Sequence, residues 1–226
     1  MINHNEDLKK KHTFGLRSIA NQYLEIQHPN ELLSIINSST WSKQKKRILG
    51  QGSNTIFIKD FPGIIIHPVN QGIEVVDENK HHVFIEVQSG HLWDDCVAYC
   101  VDRNWSGLEN LSAIPGHTGA APIQNIGAYG SEIADALCYI KAINMKSAKL
   151  ETFEHEACQF GYRYSRFKHN QDYLITAIGL RLNKQFKPNL SYHGLKKALE
   201  GHPCPSLSSM RETIITLRQK KLPDVH

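Results

Sequence analysis

A turn of small polar residues, Gly50-Gln51-Gly52-Ser53-Asn54, directly follows a predicted strand at residues 47–49. Its two glycines permit positive φ, so successive backbone N–H groups can converge on an anion, and Ser53 and Asn54 add side-chain donors suited to phosphate oxygens. The turn lacks the third glycine and the following helix of a Rossmann motif, and no Gly-Lys-Ser/Thr of a Walker loop follows. Considered alone, an ordinary β-turn explains it equally well.

The segment at residues 114–130 holds four glycines and two prolines among small residues. This composition excludes an ordinary helix or a central strand. A backbone so bare of side chains can approach a large flat ligand, such as a dinucleotide, with Gln124 and Asn125 as polar contacts. A tightly packed structural loop is the alternative for this segment alone. Two glycine-rich segments of the anion-binding type in one chain favour the dinucleotide.

Two arginines lie among aromatic residues in the segment 160–167, Phe-Gly-Tyr-Arg-Tyr-Ser-Arg-Phe. Arg163 and Arg166 carry permanent charges and fork-shaped donors, and the neighbouring rings limit their freedom. Such an arginine can hold a carboxylate or stabilise a developing enolate. A surface arginine stacked on a tyrosine is the alternative.

The composition is that of an ordinary soluble protein. Of the 226 residues 40% are hydrophobic and 21% charged, which suits one large domain or two small ones. No apolar run approaches the roughly 20 residues of a membrane-spanning helix, and the polar N-terminus lacks the apolar core of a signal peptide. We therefore expect a cytoplasmic protein without membrane insertion.

Charge and cysteine patterns predict neither a nucleic-acid partner nor a metal. The net charge is +4, and the basic residues are scattered rather than gathered on a stripe with aromatic platforms. The histidines show no metal-ligand spacing, and the cysteines are odd in number without a CxxC pair, which favours reduced thiols. Cys96 and Cys100 share one face of a predicted helix and are expected in the core. The five cysteines are Cys96, Cys100, Cys138, Cys158 and Cys204.

Hydrophobic periodicity predicts an α+β fold of short strands and interspersed helices. Helices are expected at residues 29–36 and 92–101, and a third opens at the capping box Ser209–Glu212. The alternation within residues 174–182 predicts a strand buried mainly on one face. The other predicted strands are at residues 47–49, 55–58, 64–67, 83–87, 139–145 and 150–153.

Taken together, these segments resemble the UDP-N-acetylenolpyruvoylglucosamine reductase (UDP-N-acetylmuramate dehydrogenase) family over essentially the whole chain. Five motifs occur in the family's order: the turn at 50–54, Ile-Pro-Gly at 114–116, the run at 119–130, the arginine segment at 160–167 and Lys-Leu-Pro-Asp at 221–224. The run Pro-Ile-Gln-Asn-Ile-Gly-Ala-Tyr-Gly at 122–130 is highly specific. The turn at 50–54 alone would also suit other flavin oxidases of the same fold.

The resemblance implies a two-lobed α+β FAD-binding domain of the vanillyl-alcohol-oxidase/PCMH type. Its lobes would be residues 1–72 and 73–185, followed by a connecting segment and helix at 186–226. FAD would be bound non-covalently, and NADPH would be the hydride donor. The enolpyruvyl group of a UDP-linked amino sugar would be reduced to the lactyl ether of UDP-N-acetylmuramate, a peptidoglycan precursor of the cell wall.

Single residues take roles from the same resemblance. Arg163 would be catalytic and stabilise the enol-like intermediate, and the subclass is the one with a tyrosine that closes over the nucleotide, here Tyr192. Substrate would also contact Tyr162, Arg218 and Lys221. The FAD-binding residues would be Gly50, Gln51, Gly52, Ser53, Asn54, Gly119, Ala120, Ala121, Pro122, Asn125, Gly127, Ala128 and Gly130.

The family pattern continues beyond this chain's last motif into a segment whose serine donates a proton, a substrate-binding domain and a glutamate that pairs with the arginine. The chain ends at Val225-His226. We therefore expect the 226-residue chain alone to be inactive, with exposed apolar surface that favours self-association. The alternative functions are a non-catalytic FAD-binding module and a flavin oxidase acting on another substrate.

Overall fold

The part of the chain that the structure describes forms two large β-sheets, a two-stranded hairpin and four α-helices. The computed structural model describes residues 2–36, 41, 44–200 and 205–221. The strands are β1 (Ile2–Asp7), β2 (Ile19–Ile26), β3 (Lys45–Ile48), β4 (Phe61–Pro68), β5 (Ile73–Glu78), β6 (His82–Gln88), β7 (Gly127–Ala128), β8 (Ser131–Glu132), β9 (Leu137–Asn144), β10 (Lys149–Glu154) and β11 (Tyr173–Asn183). The helices are α1 (Pro29–Ile36), α2 (Trp93–Asp102), α3 (His193–Ala198) and α4 (Leu207–Lys221).

The first sheet is mixed and has the strand order β1-β2-β4-β3. β1 is antiparallel to β2, whereas β2 and β3 both run parallel to β4. Parallel strands need a crossover connection, and α1 lies in the one between β2 and β3. Leu32 and Ile36 of α1 are buried, which anchors this crossover on the sheet.

The second sheet is antiparallel throughout and has the order β10-β9-β11-β6-β5. Helix α2 contributes much of its core, because Trp93, Cys96, Val97 and Cys100 are fully buried there. The predicted core position of Cys96 and Cys100 is confirmed. The glycine-rich segment lies between α2 and β9, where a 3-10 helix (Thr118–Gln124) and the β7–β8 hairpin follow each other.

The two sheets share an apolar cluster. Ile143, Met145 and Leu174 of the second sheet region pack with Leu24, Ile26, Ile64 and Ile66 of the first. The indole N–H of Trp41 also donates to the carbonyl oxygen of Met145 at 3.4 Å. The two sheets are therefore joined by buried contacts as well as by the chain connection.

Two local predictions were wrong. Residues 55–58 form no strand: only Phe57 is buried, and Ile56 and Ile58 are 50% and 82% exposed. Helix α4 begins at Leu207 rather than at Ser209, because the Ser206 hydroxyl accepts from the backbone N–H of Ser209.

The prediction that the strand at 174–182 is buried mainly on one face was also wrong. In β11 both faces are covered from Leu174 to Leu180. The Tyr139 ring lies so close to Gly179 that a side chain there would overlap it. The strand is central, with β9 on one side and β6 on the other.

Candidate cofactor-binding site

The two glycine-rich segments lie on opposite sides of one cleft of about 280 Å³. The turn at 50–54 forms one side, and residues of the segment 114–124 form the other. Eight of the residues expected to bind FAD line it: Gly50, Gln51, Gly52, Ser53, Asn54, Gly119, Ala120 and Ala121. Gln124, expected as a polar contact, lines it as well.

The turn presents a row of unpaired backbone donors to this cleft. The N–H groups of Gln51, Gly52, Ser53 and Asn54 have no hydrogen-bond acceptor among the described residues. Gly52 has a φ of +75°, the left-handed conformation that glycine adopts without strain. Successive N–H groups around such a residue form a concave anion-binding nest. Such a nest can accept an anion such as a phosphate.

Side chains of the turn reach across the cleft to the other segment. The Ser53 hydroxyl donates to the carbonyl oxygen of Pro115 at 3.2 Å, and the Asn54 amide donates to Gln124 Oε1 at 3.3 Å. These contacts hold the two segments at the spacing that defines the cleft.

Part of the cleft wall is apolar and deeply buried, while Arg47 and Lys168 also line the cleft. Trp93, Phe167 and Ile175 line it and are at most 4% exposed. The Trp93 indole N–H is fixed by the carbonyl oxygen of Leu111 at 2.9 Å. A phosphate nest beside an apolar, partly aromatic wall fits a ligand that carries both a pyrophosphate and a flat ring system.

Two histidines at the cleft are uncharged at neutral pH. His117 lines the cleft with its ring centroid 5.4 Å from that of His67, whose Nδ1–H donates to the Leu49 carbonyl oxygen. Burial lowers the pKa of His67. Burial and the neighbouring His67 lower the pKa of His117 to about 4. His117 Nδ1 is buried without a hydrogen-bond partner among the described residues.

Arg163 does not line the cleft but contacts the backbone of the glycine-rich segment. Its Nη1 donates to the carbonyl oxygen of Asn125 at 3.1 Å and its Nη2 to that of Gly127 at 2.6 Å. Arg163 itself has a φ of +51°, and its guanidinium lies 5.3 Å from the ring centroid of Tyr162, which is 84% exposed. Two carbonyl acceptors thus fix the direction of this cation.

Five residues expected to bind FAD lie outside the cleft lining: Pro122, Asn125, Gly127, Ala128 and Gly130. The Asn125 side chain is 1% exposed and bonds instead to Glu132, to the carbonyl oxygen of Gly161 and to the N–H of Ala134. Its amide therefore stabilises the β7–β8 hairpin. Of the two side chains expected as polar contacts to the ligand, only Gln124 lines the cleft.

Several glycines are required by other parts of the chain. A Cβ at Gly127 would lie 2.8 Å from Arg163 Nη1, and one at Gly119 would lie 2.5 Å from Ser89 Cβ. A Cβ at Gly52 would overlap the Lys11 carbonyl oxygen, and one at Gly130 would overlap the Ser191 hydroxyl. The glycines at these positions are therefore also required by close packing within the protein, as in the alternative of a tightly packed structural loop.

Two of the residues expected to bind substrate meet at a second place. The Tyr192 ring packs edge-on against Tyr129 with centroids 5.2 Å apart, and Lys221 Nζ lies 5.4 Å from the Tyr192 ring centroid. Arg218 lies on the same helix as Lys221, and its Nε donates to the carbonyl oxygen of Ala113 at 3.1 Å. No residue of this group lines the cofactor cleft.

Sequence reasoning missed the apolar wall and a carboxylate. Trp93, Phe167 and Ile175 carry no signal that separates a cleft wall from an ordinary core. Asp94, which binds Arg211 of α4, had one usable signal, its position next to a tryptophan at a predicted helix start. Cys204 and the Leu222-Pro223-Asp224 part of the last motif lie outside the described residues.

Among the described residues no helix could cross a membrane and no cluster of histidine, cysteine or carboxylate side chains could hold a metal.

Comparison with known proteins places the chain among flavoproteins. A family model described as an FAD binding domain matches residues 20–153. UDP-N-acetylenolpyruvoylglucosamine reductase of Flavobacterium johnsoniae is 38% identical, with 99% of this chain and 67% of that protein covered. The chain thus spans about two thirds of the length of this curated relative.

Solved structures confirm the predicted fold. A UDP-N-acetylenolpyruvylglucosamine reductase from Thermus caldophilus superimposes with a TM-score of 0.72 at 21% identity, covering 99% of this chain and 70% of that one. A solvent-stable cholesterol oxidase superimposes with a TM-score of 0.58 at 13% identity, covering 77% and 37%. The two-lobed α+β class expected from the sequence is therefore confirmed, and the chain belongs to the UDP-N-acetylenolpyruvoylglucosamine reductase family.

Proposed function

We propose that the protein is an FAD-dependent oxidoreductase that reduces UDP-N-acetylenolpyruvoylglucosamine to UDP-N-acetylmuramate with NADPH. The observation that carries the proposal is the row of unpaired N–H groups at Gln51–Asn54, which faces an apolar wall across one cleft. Family membership supplies the reaction. The cytoplasm is the proposed location, consistent with the buried free thiols of Cys96, Cys100 and Cys158.

Different residues of the cleft would bind different parts of the cofactor. The turn at 50–54 would hold the pyrophosphate through backbone N–H groups, and Trp93, Phe167 and Ile175 would exclude water from the ring system. The uncharged His117 adds no cation, so Arg47 and Lys168, which also line the cleft, would supplement the backbone dipoles. When bound, FAD supplies hydride transfer from NADPH to the second substrate. The proposed lobes are residues 1–72 and 73–185, with 186–226 as connecting segment and helix.

Arg163 is the proposed catalytic group of this chain. Hydride addition to one carbon of an enol ether leaves negative charge on the other, delocalised into the carboxylate. A cation fixed by two carbonyl acceptors would lower the energy of that charge without reorganising. Tyr162, Tyr192, Arg218 and Lys221 are the proposed substrate contacts. Tyr192 and Lys221 already form a cation–aromatic pair, which suits an anionic nucleotide.

The placement of FAD can be tested by filling the cleft from one side. Ala120 lines the cleft and is exposed, so Ala120→Tyr should fold and block the cofactor. Ser147→Tyr, at an exposed turn away from the cleft, is the matched control. Flavin content after purification and FAD titration of the apoprotein should show loss in the first variant and none in the second. Full flavin content in Ala120→Tyr would overturn the placement.

A second assay separates a reductase from a non-catalytic FAD-binding module. NADPH oxidation is followed in the presence and absence of UDP-N-acetylenolpyruvoylglucosamine, with formation of the lactyl ether as the product readout. The reductase requires substrate-dependent product. If a protein that has the family's full length binds flavin but forms no product, the reductase proposal is wrong and the protein is a non-catalytic FAD-binding module.

A further inference from the structure

A carboxylate in the first turn of α2 joins three parts of the molecule. Asp94 accepts two hydrogen bonds from Arg211 of α4, from Nη1 at 2.7 Å and from Nη2 at 2.9 Å. Its Oδ1 also accepts from the backbone N–H of Ala113 at 2.5 Å. The side chain of Arg211 is 15% exposed and that of Asp94 36% exposed, so the pair is partly shielded from solvent. A bidentate pair of this kind fixes orientation as well as distance.

Ala113 is held in an unfavourable conformation at this point. Its φ is +56°, in the left-handed region that costs a residue with a Cβ about 1 kcal/mol or more. Asp94 binds its N–H, and Arg218 Nε binds its carbonyl oxygen at 3.1 Å. Both polar groups of the strained residue are therefore held from outside its own segment. Arg211, which binds Asp94, and Arg218, which binds Ala113, are two turns apart on one face of α4.

The strained residue directly precedes the wall of the cofactor cleft. Ile114, Pro115 and Gly116 line the cleft, and so does Trp93, the neighbour of Asp94. The backbone N–H of Trp93 donates to the carbonyl oxygen of Gly116 at 2.9 Å. Helix α2 therefore contacts this wall at two places, through Asp94 at Ala113 and through Trp93 at Gly116. The conformation at Ala113 thus determines where this wall stands.

The charge state of Asp94 suits this role. Burial alone would raise its pKa, but hydrogen bonds from Arg211 and Ala113 and the charges of Arg211 and Arg218 outweigh burial and lower the pKa. Asp94 is therefore ionised throughout the physiological range and remains a full acceptor for both partners.

We propose that Asp94 is a positioning residue, which holds Ala113 in its left-handed conformation so that the wall at residues 114–116 is preformed for the cofactor, and which ties this wall to helix α4. The proposal rests on the proposed function only in taking FAD as the ligand of the cleft. Without the carboxylate, Ala113 would relax toward right-handed conformations, and only a fraction of the molecules would present the wall. The apparent affinity for FAD falls in proportion to that fraction.

The test compares FAD affinities of purified apoprotein variants by flavin fluorescence. Asp94→Asn keeps the size of the side chain but replaces the carboxylate by a neutral amide. Its one oxygen is a weaker acceptor for the Ala113 N–H, and its NH2 group opposes the donors of Arg211, so we expect the affinity for FAD to fall about tenfold. Glu86→Gln is the matched control, because Glu86 is also a half-buried carboxylate with two partners, Tyr139 and Lys141, and does not line the cleft. It should bind FAD like the wild type.

A rescue variant distinguishes positioning from general destabilisation. Glycine adopts φ near +56° readily, so Asp94→Asn combined with Ala113→Gly should recover FAD affinity to within about threefold of the wild type. Ala113→Gly alone should change the affinity for FAD by less than about threefold. The same glycine should not raise the melting temperature of Asp94→Asn to the wild-type value, because the contact with Arg211 is still lost.

Two results would overturn the proposal: wild-type FAD affinity in Asp94→Asn, or a reduced affinity that Ala113→Gly does not restore. Failure of the proposed function has a different signature, since the wild-type apoprotein would then not bind FAD at all. If Asp94→Asn is too unstable to purify, Arg211→Gln keeps the test available. It removes the partner while leaving the carboxylate, and should give a smaller loss of affinity because a charged oxygen still accepts from the Ala113 N–H.

Discussion

Arg163 and Gly127 are adapted to each other at the scale of single residues. The guanidinium occupies the space in which a side chain at residue 127 would lie, and it bonds the carbonyl oxygen of the same residue. The arginine, together with the Ser131 carbonyl oxygen, which a Cβ at residue 127 would approach to 2.9 Å, is enough to explain the glycine. A substitution at residue 127 should affect the position of the cation before it affects flavin binding.

Gly127→Ala tests this coupling. The new Cβ would lie 2.8 Å from Arg163 Nη1, so the guanidinium must move from its two carbonyl acceptors. We expect normal flavin content but, in a protein that has the family's full length, reduced turnover with UDP-N-acetylenolpyruvoylglucosamine. Gly161→Ala is the control, because its Cβ would meet nothing closer than 3.9 Å. Loss of flavin in Gly127→Ala would show that the residue contacts the cofactor after all.

Arg163→Lys tests the role of the fork-shaped cation. A lysine ammonium cannot reproduce the two-point contact with Asn125 and Gly127, so the charge is no longer fixed. In a protein that has the family's full length, turnover should fall by about two orders of magnitude while FAD remains bound. Arg166→Lys is the comparison, since Arg166 bonds the Ala157 carbonyl oxygen and lies 4.8 Å from the Phe153 ring centroid. Arg166→Lys should lower thermal stability more than turnover. A loss of thermal stability in Arg163→Lys as large as its loss of turnover would favour a structural role for Arg163.

His117 predicts a pH dependence of stability. Its pKa is lowered from 6.5 to about 4, first by burial and then by His67, so between these values the unfolded chain binds a proton that the folded protein does not. Stability is therefore full above pH 6.5 and declines as pH falls toward 4. In His117→Gln this contribution is absent, so the stability difference between wild type and variant should change steadily with pH. Urea unfolding across this pH range measures it, and a constant difference would contradict the assignment.

At the scale of helices and strands, the predictions were correct where the hydrophobic periodicity is strong. α2 and β6 have strong periodicity and a core to face, and both were foreseen within a few residues. Residues 55–58 have equally apolar side chains but no neighbouring strand to pair with, and periodicity alone cannot supply a partner. β1 was not foreseen because it is an edge strand with a polar, exposed sequence. Its pairing with β2 depends on a tertiary contact.

Hydrogen bonds attach the segment that carries Tyr192 to the end of the glycine-rich segment. Asn110 is 1% exposed and donates to the carbonyl oxygens of Tyr129 and Asn189, while the Asn189 amide donates to that of Gly130. Gly130 leaves just enough room for the Ser191 hydroxyl. The position of Tyr192 thus depends on a glycine some sixty residues earlier in the chain.

Gly130→Ala should release this segment. The methyl group would overlap the Ser191 hydroxyl, and the φ of +84° is unfavourable for alanine. We expect faster limited proteolysis within residues 186–192, partly reversed by Ser191→Ala, which removes the overlapping oxygen. Gly15→Ala carries comparable backbone strain at a φ of +62° with no atom within 4 Å and serves as the control. Equal proteolysis in both glycine variants would mean that strain, not the contact, is responsible.

For the molecule as a whole, the sequence predicted the cofactor segments but not the cleft between them. Gly50–Asn54 and Gly119–Ala121 stand out because glycine-rich composition is rare outside turns. The direction of a side chain within such a segment is set by packing, and so Asn125 and Gln124 could not be told apart. The wall residues Trp93, Phe167 and Ile175 come from three distant parts of the chain, and only the fold brings them together.

The apolar cluster shared by the two sheets leads to the last prediction. Ile143 is fully buried and packs with residues of the first sheet, although it belongs to β9 of the second. Ile143→Ala should destabilise the protein by about 2–5 kcal/mol. Because the cluster joins the lobes, denaturant unfolding should remain a single transition that shifts as a whole, and flavin release should coincide with it.

Leu150→Ala, in the edge strand β10 at a side chain 56% exposed, is the control and should shift the transition by about 0.5 kcal/mol or less. Circular dichroism and flavin fluorescence, followed in the same titration, report secondary structure and cleft integrity separately. Two separated transitions in Ile143→Ala, with flavin lost in only one of them, would show that the lobes fold independently. The cleft would then be assembled by docking of preformed lobes, and FAD would have to contribute to that docking.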